Sequence, residues 1–388
     1  MTAHGVLVQP GAAGAWAWFG LELTPASTVG ETGSWPGTTE QERRIDTAAL
    51  EKVWLATMWD AANVLNLEIR YRADPETRLL SCALLARVFA GDQRAAVDTA
   101  LTVRERLGVL PPHVHAAPLV RHEDLVAWLA PPATGADGAA VVRKRLSCGQ
   151  FRRADTQLRV GVAVSPLAVA GASWEPVWRS LAGQPRPTVL SVGLTPHVAG
   201  PEFAARVGWL AQEYARLSAA GTNGPVWSSV LPPEPFAALA GPLYLDAARR
   251  YTGSLYRMRI ALAADGPVSA DLAQLVADRV SADSAGAPGG AVVCRPVAAE
   301  SDTAWRNLTT LNHDPLVETY RQGVPADFLA HPEGVLADLV DTGEAASAFR
   351  FPYEVPRREP LFRTPARPDP ADRRPTHAAG GDPGLPDL

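Results

Sequence analysis

Three stretches of this chain follow one pattern: an apolar strand, a short polar or Gly/Pro break, then an amphipathic helix. They begin near Leu79, Val189 and Leu255. Alternation with period two marks the strands and apolar spacing of three and four marks the helices, so the pattern confines the chain to α/β architectures. In the first stretch a strand over 79–89 leads past Asp92, which can cap exposed amides, into a stripe of Ala96, Ala100, Val103 and Leu107. Pro111 and Pro112 stop it. In the second, Leu190, Val192 and Leu194 alternate, and Pro201 and Glu202 open a helix striped by Phe203, Val207, Leu210, Tyr214 and Leu217. In the third, Tyr256, Met258, Ile260 and Leu262 alternate with Arg257 and Arg259. Ser269 then caps a helix carrying Leu272, Leu275, Val276 and Val280, and a strand returns over 291–297. Strand, helix and strand in this order is half of a ferredoxin-like unit. The expected fold is therefore α/β (α+β), with repeated strand-helix-strand, ferredoxin-like units in layered sheets and helices packed on one face.

The rest of the chain fits around these units. Residues 6–23 read as a small antiparallel pair or the edge of a small barrel with Trp16 and Trp18 on one face, a hydrophobic lid over a neighbouring domain. Residues 27–40 read as a loop, and Asp46 is expected to cap a helix whose apolar positions Leu50, Val53, Trp54 and Thr57 recur at helical spacing and run on through Met58. A strand over 67–71 joins the strand at Leu79 through a turn set by Asp74 and Pro75. From Asp369 onward Pro, Arg, Asp and Gly leave almost nothing to bury, which predicts a disordered tail. The expected organisation is a small β element and loop (1–45), a first α/β domain (46–170), a second (171–300), a helical junction segment (301–368) and the tail (369–388).

At 388 residues with 47% hydrophobic and 20% charged residues the chain can fold on burial alone. A net charge of -5 offers no global attraction to phosphate or anionic lipid. Of 36 basic residues only Lys52 and Lys144 are lysines, a bias typical of GC-rich, actinobacterial-type genomes. Cys82, Cys148 and Cys294 read as buried thiols in a reducing compartment. Without a secretory leader or a long apolar window, the expectation is a cytoplasmic protein with no direct membrane insertion.

Chemistry-bearing motifs are sparse. The sequence holds no GxxxxGK[ST], GxGxxG, GxSxG or HExxH, so no cofactor, metal or catalytic residue is assigned. His113 and His115, near His122 and Glu123, form the one metal-like cluster and read as a solvated connector. His313 with Asp314 reads as a turn before Pro315. The densest basic run is Arg143, Lys144, Arg145, Arg152, Arg153 and Arg159, with Phe151 interleaved, the minimal recipe for gripping single-stranded nucleic acid. The plainer reading is a solvated face of a strand pair.

Residues 341–352, DTGEAASAFRFP, resemble the junction in HerA-like and conjugation-type ATPases where the amino-terminal domains end and the motor begins. The matching residues are Glu344, Ala345, Phe349, Arg350, Phe351 and Pro352. Residues 255–299 are similar to the strand-helix-strand piece before that junction, and 79–107 look like an earlier copy. Family members continue into a RecA-like motor with a phosphate loop, which has no counterpart in this sequence. The resemblance implies a platform without the engine: a non-catalytic accessory protein for a separately encoded HerA/FtsK-like ATPase in a translocation or defence system, itself a monomer or a homo-oligomer. Glu344, Phe349, Arg350, Phe351 and Pro352 would be its partner contacts. The alternatives are an enzyme whose site joins distant residues such as His313, Asp314 and an arginine, and a nucleic-acid-binding module using residues 143–159.

Overall fold

The computed structural model describes residues 5–26, 40–61, 65–131, 136–169, 172–223, 229–282, 290–321, 323–354 and 358–363. Residues 27–39 of the expected loop and the tail from residue 369 lie outside them.

The first half of the chain runs β1 (Leu7–Gly11), β2 (Gly14–Pro25), α1 (Glu40–Met58), β3 (Asn66–Asp74), β4 (Leu79–Ala90), α2 (Gln93–Leu107) and β5 (Val114–Pro118). A short helix, α3 (His122–Leu129), leads to the second half. This begins with β6 (Ala139–Lys144), the hairpin β7 (Leu146–Gln150) and β8 (Val160–Val164), α4 (Glu175–Ala182) and β9 (Thr188–His197). An insertion follows: α5 (Pro201–Leu217), the hairpin β10 (Gly221–Asn223) and β11 (Ser229–Leu231), and α6 (Pro235–Arg250). The half closes with β12 (Leu255–Ala264), α7 (Ala270–Val280) and β13 (Ala291–Cys294). Then come α8 (Ser301–Thr310), α9 (Val317–Tyr320), β14 (Leu339–Asp341) and α10 (Thr342–Ala348).

The halves repeat one topology. In the first, β5 and β4 flank β2, and β4 pairs with β3, all antiparallel, giving the order β5-β2-β4-β3. In the second, β13 and β12 flank β6, and β12 pairs with β9, giving β13-β6-β12-β9. Each is a β-α-β-β-α-β ferredoxin-like unit in which a helix joins two parallel strands with an antiparallel strand between them. The units meet edge to edge through β3 and β9, with Leu67 opposite Leu194 and Ala73 opposite Thr188, in one ten-stranded sheet. The repeat visible at Leu79 and Leu255 is thus the corresponding half of each unit. The stretch at Val189 has the expected strand and helix, but α5 leaves the sheet to build the insertion.

Strand alternation explains which face is covered by what. Leu67, Ile69 and Tyr71 of β3 and Tyr256, Ile260 and Leu262 of β12 share one core with Trp54, Ala96, Trp178 and Val276 from the helices. Asp92 caps α2 by accepting from Ala95 N at 2.9 Å, and Ser269 caps α7 by accepting from Leu272 N at 3.3 Å, both as expected. The helix expected to start at Asp46 instead begins at Glu40, because the preceding Glu, Gln and Arg residues favour helix and extend it. On the opposite face α3 and α8 cover Trp18, Ala83, Leu85, Val141 and Ala261. Phe203, Leu210, Tyr214, Ala237 and Tyr244 of the insertion form a second core with Phe151 and Ala163 of the β7–β8 hairpin segment, and it reaches the sheet at Leu255 and Leu339. Cys82 and Cys294 are buried as expected, whereas Cys148, on the β7 hairpin strand, is exposed.

Candidate functional site

The junction segment is built into the interior. β14 pairs with the start of β12, and at Asp341 the chain turns into α10. Asp341 accepts from Glu344 N at 2.8 Å while Glu344 reaches back to Asp341 N, a reciprocal cap. The buried Glu344 carboxylate also accepts from Leu167 N at 2.8 Å and from the Tyr251 hydroxyl at 2.9 Å. Lys144 lies 3.0 Å from it and donates to Tyr251 Oη and Leu339 O, each at 2.6 Å. Burial pushes the Lys144 ammonium below its usual value, and the Glu344 charge opposes that shift. With its donors committed to these three acceptors, Lys144 ties β6, α6 and α10 together.

Phe349, Arg350, Phe351 and Pro352 lie in the core, which corrects the expectation that they present a contact surface. Phe349 stacks on Trp54 at 6.3 Å and Phe351 meets the same ring edge-on at 5.0 Å. Arg350 pairs with Glu51, donates to Thr47 Oγ1 at 3.2 Å and Ala172 O at 3.3 Å, and its carbonyl accepts from the Tyr71 hydroxyl. Glu51 also accepts from Phe351 N at 3.1 Å and lies 3.2 Å from His113 Nε2. An aromatic pair beside an arginine is equally suited to a core and to an interface, and the fold uses it for the core. His113, expected in a solvated connector, is buried at the start of β5, while His115 is exposed.

The basic run is dispersed. Arg143 and Lys144 are neighbours on β6, so alternation sends them to opposite faces and both are buried. Arg145 is half-buried and Arg152 exposed. Arg153 is buried, holding Asp155 at 2.6 Å and Ala219 O at 2.6 Å. Phe151 packs on Tyr214 at 5.7 Å and Phe236 at 5.8 Å, so its ring offers no stacking platform to a base. Arg159 alone reaches a cleft, of about 330 Å³, shared with Arg206, Tyr214, Tyr244, His331 and Glu333. These residues therefore do not combine into a charged groove.

A cluster that the sequence reading missed lies on the α3/α8 face of the sheet. The carboxylate of Glu68 on β3 binds Arg70, Ser191 of β9 and Arg259 of β12. Arg70 also donates to Leu308 O at 2.8 Å and to Trp128 O, which fastens α8 and α3 to the sheet. Glu68 and Arg259 reach each other across β9 because the intervening residue is Gly193, where a Cβ would stand 3.2 Å from Glu68 Oε2 and 3.3 Å from Arg259 Nη2. The signal was the polar alternation of Glu68, Arg70 and Arg72 between Leu67, Ile69 and Tyr71. Nothing local ties it to Arg259.

His313 turns to Asp338 rather than Asp314, with Nε2 3.0 Å from Asp338 Oδ2, and Arg257 holds the same carboxylate at 2.6 Å. Asp314 instead faces Arg306 at 3.5 Å near the surface. The His313 and Arg257 partners hold the Asp338 carboxyl well below the usual carboxylate range although burial opposes them, and burial pushes His313 down although Asp338 opposes it. Both depressed values have one sign: the unfolded chain binds more protons in acid. Their stabilisation is present above the unfolded values of about 6.5 for His and 3.9 for Asp, and is lost as pH falls through the folded ones. We expect the urea midpoint to fall from pH 7 to pH 5, and His313→Asn to flatten that fall.

Among the described residues no group of three His, Cys, Asp or Glu side chains could hold a metal ion, and no helix is long and apolar enough to cross a membrane. The chain matches no protein-family model and no curated protein sequence.

Proposed function

We propose that the chain is a non-catalytic platform that docks onto a separately encoded phosphate-loop ATPase of the HerA/FtsK type. The observation that carries this reading is the insertion between β9 and β12. It shares a core with the β7–β8 hairpin segment apart from the main sheet core, and it turns Trp209, Leu239 and Leu245 outward, with Trp209 43% exposed. Arg206 lies over the Trp209 ring at 4.9 Å, and Arg159 stands at the adjoining cleft. Exposed aromatic and arginine side chains are the groups that contribute most to protein interfaces. Elsewhere the carboxylates of Glu344, Glu51, Glu68 and Asp338 each find cationic partners within the chain, which suits a scaffold. The class of partner rests on the resemblance of residues 341–352 alone. With Phe349 and Phe351 inside the core, the docking contacts belong to the insertion.

Affinity purification of the tagged full chain from its native host tests the reading. A phosphate-loop ATPase is expected to co-purify with the wild type, and Trp209→Asp with Arg159→Asp should weaken that association about tenfold or more, equivalent to roughly 1.4 kcal/mol. Absence of any such ATPase from the wild-type eluate would overturn it.

A further inference from the structure

Under α3 and α8, four arginines, Arg70, Arg87, Arg143 and Arg259, are each no more than 7% exposed, and the strands place one acid among them, Glu68. The other nearby acids are committed elsewhere: Asp338 to Arg257 and His313, and Asp314, 43% exposed, to the Arg306 side. Buried positive charge is therefore in excess, and arginine does not relieve it by losing a proton at ordinary pH. Arg70 is well supplied, by Glu68 and two backbone carbonyls. Arg87 rests on the Trp16 ring and donates to Asn312.

Arg259 and Arg143 are less well served. Arg259 gives Nη2 to Glu68, but its Nε and Nη1 are buried without an acceptor. Arg143 gives Nη2 to Tyr320 O at 2.7 Å and lies over the Tyr320 ring at 4.9 Å, but its Nε and Nη1 are likewise buried without an acceptor. The register pairs Ile260 with Val142, so the next residues along, Arg259 and Arg143, are cross-strand neighbours of like charge. Buried charged donors without acceptors are among the costliest arrangements in a protein interior. Beside Arg259 lies a cavity of about 10 Å³, walled by Val141 and Ala261 of the sheet and by Ala304, Asn307 and Leu308 of α8.

We propose that this cavity binds a single small anion of the halide class, chloride under ordinary conditions, which accepts hydrogen bonds from Arg259 and offsets the repulsion between Arg259 and Arg143. The volume suits one water-sized species and is too small for phosphate or a carboxylic acid. Water would satisfy donors but leave the excess charge in place. The ion would fasten α8 to the seam between the two ferredoxin-like units.

Diffraction from the full chain crystallised in sodium bromide, measured at the bromine absorption edge, locates the ion directly. An anomalous peak within hydrogen-bonding distance of the Arg259 guanidinium, beneath α8, is expected; ordered water there, or bromide at other places only, would overturn the proposal. In solution, replacing sodium gluconate by sodium chloride at constant ionic strength should raise the wild-type thermal midpoint in a saturable way. The rise should vanish in Arg143→Gln and in the charge-balanced pair Glu68→Gln with Arg259→Gln. A rise that persists in the charge-balanced pair, or none in the wild type, counts against the ion.

Discussion

Arg350→Met is expected to lower the unfolding free energy by about 3–5 kcal/mol, the usual cost of removing one member of a buried ion pair. Arg350 and Glu51 are both buried, and methionine preserves much of the arginine stem while leaving Glu51 without its cation. Glu51 would keep Phe351 N and the contact with His113, which do not replace a guanidinium. Glu51→Gln in the same chain should restore part of the loss, because an amide is far cheaper to bury than an uncompensated carboxylate. The urea midpoint of the two variants, read against the wild type, checks both statements. If Arg350→Met unfolds with the wild-type midpoint, Arg350 is not holding α1 to the segment after α10. A loss that Glu51→Gln fails to relieve would mean that packing, not charge, was removed.

The same residues show where the sequence was legible. Apolar alternation at 79–89 and 255–264 and the stripes after Asp92 and Ser269 have local causes, a pleat and a helical turn, so the strands and helices could be read without knowing the fold. The order of strands could not. β2 stands between β4 and β5, and β6 between β12 and β13, through pairings that join residues far apart in the chain. Pro201 and Glu202 signalled α5 correctly but carry no information on whether the helix crosses the sheet. The charged clusters were hidden for a related reason: Glu51 with Arg350, Lys144 with Glu344 and Glu68 with Arg259 are each separated by well over a hundred residues. Phe349 and Phe351 were visible as anchors, yet a large buried ring looks the same in sequence whether it is covered by its own chain or by another.

Gly193→Val should act at the seam between the two ferredoxin-like units. β9 is the edge strand of the second unit and pairs with β3, the edge strand of the first, so among the described residues it carries the strand pairing that fuses the halves. At Gly193 the Glu68 carboxylate and the Arg259 guanidinium cross the strand through the space a side chain would occupy. A methyl group there is already tight, at 3.2 Å and 3.3 Å from the paired atoms, and can be met by a shift of a few tenths of an ångström. The two γ-carbons of valine cannot. They would part Glu68 from Arg259 while both stay buried, and the expected cost is about 3–5 kcal/mol, against about 1 kcal/mol for Gly193→Ala. β-branched residues favour strands, so strand propensity alone would make valine the better substitute; the predicted order, alanine milder than valine, is opposite. Chemical denaturation of both variants decides it, since valine equal to or more stable than alanine would mean that the pair does not depend on the gap in β9. Pushing the Glu68 carboxylate aside also strains its bonds to Arg70 and Ser191, so the damage should spread to α3 and α8, which Arg70 fastens through Trp128 O and Leu308 O. Hydrogen exchange should then quicken in those two helices before it does in α2 and α7, which pack on the opposite face.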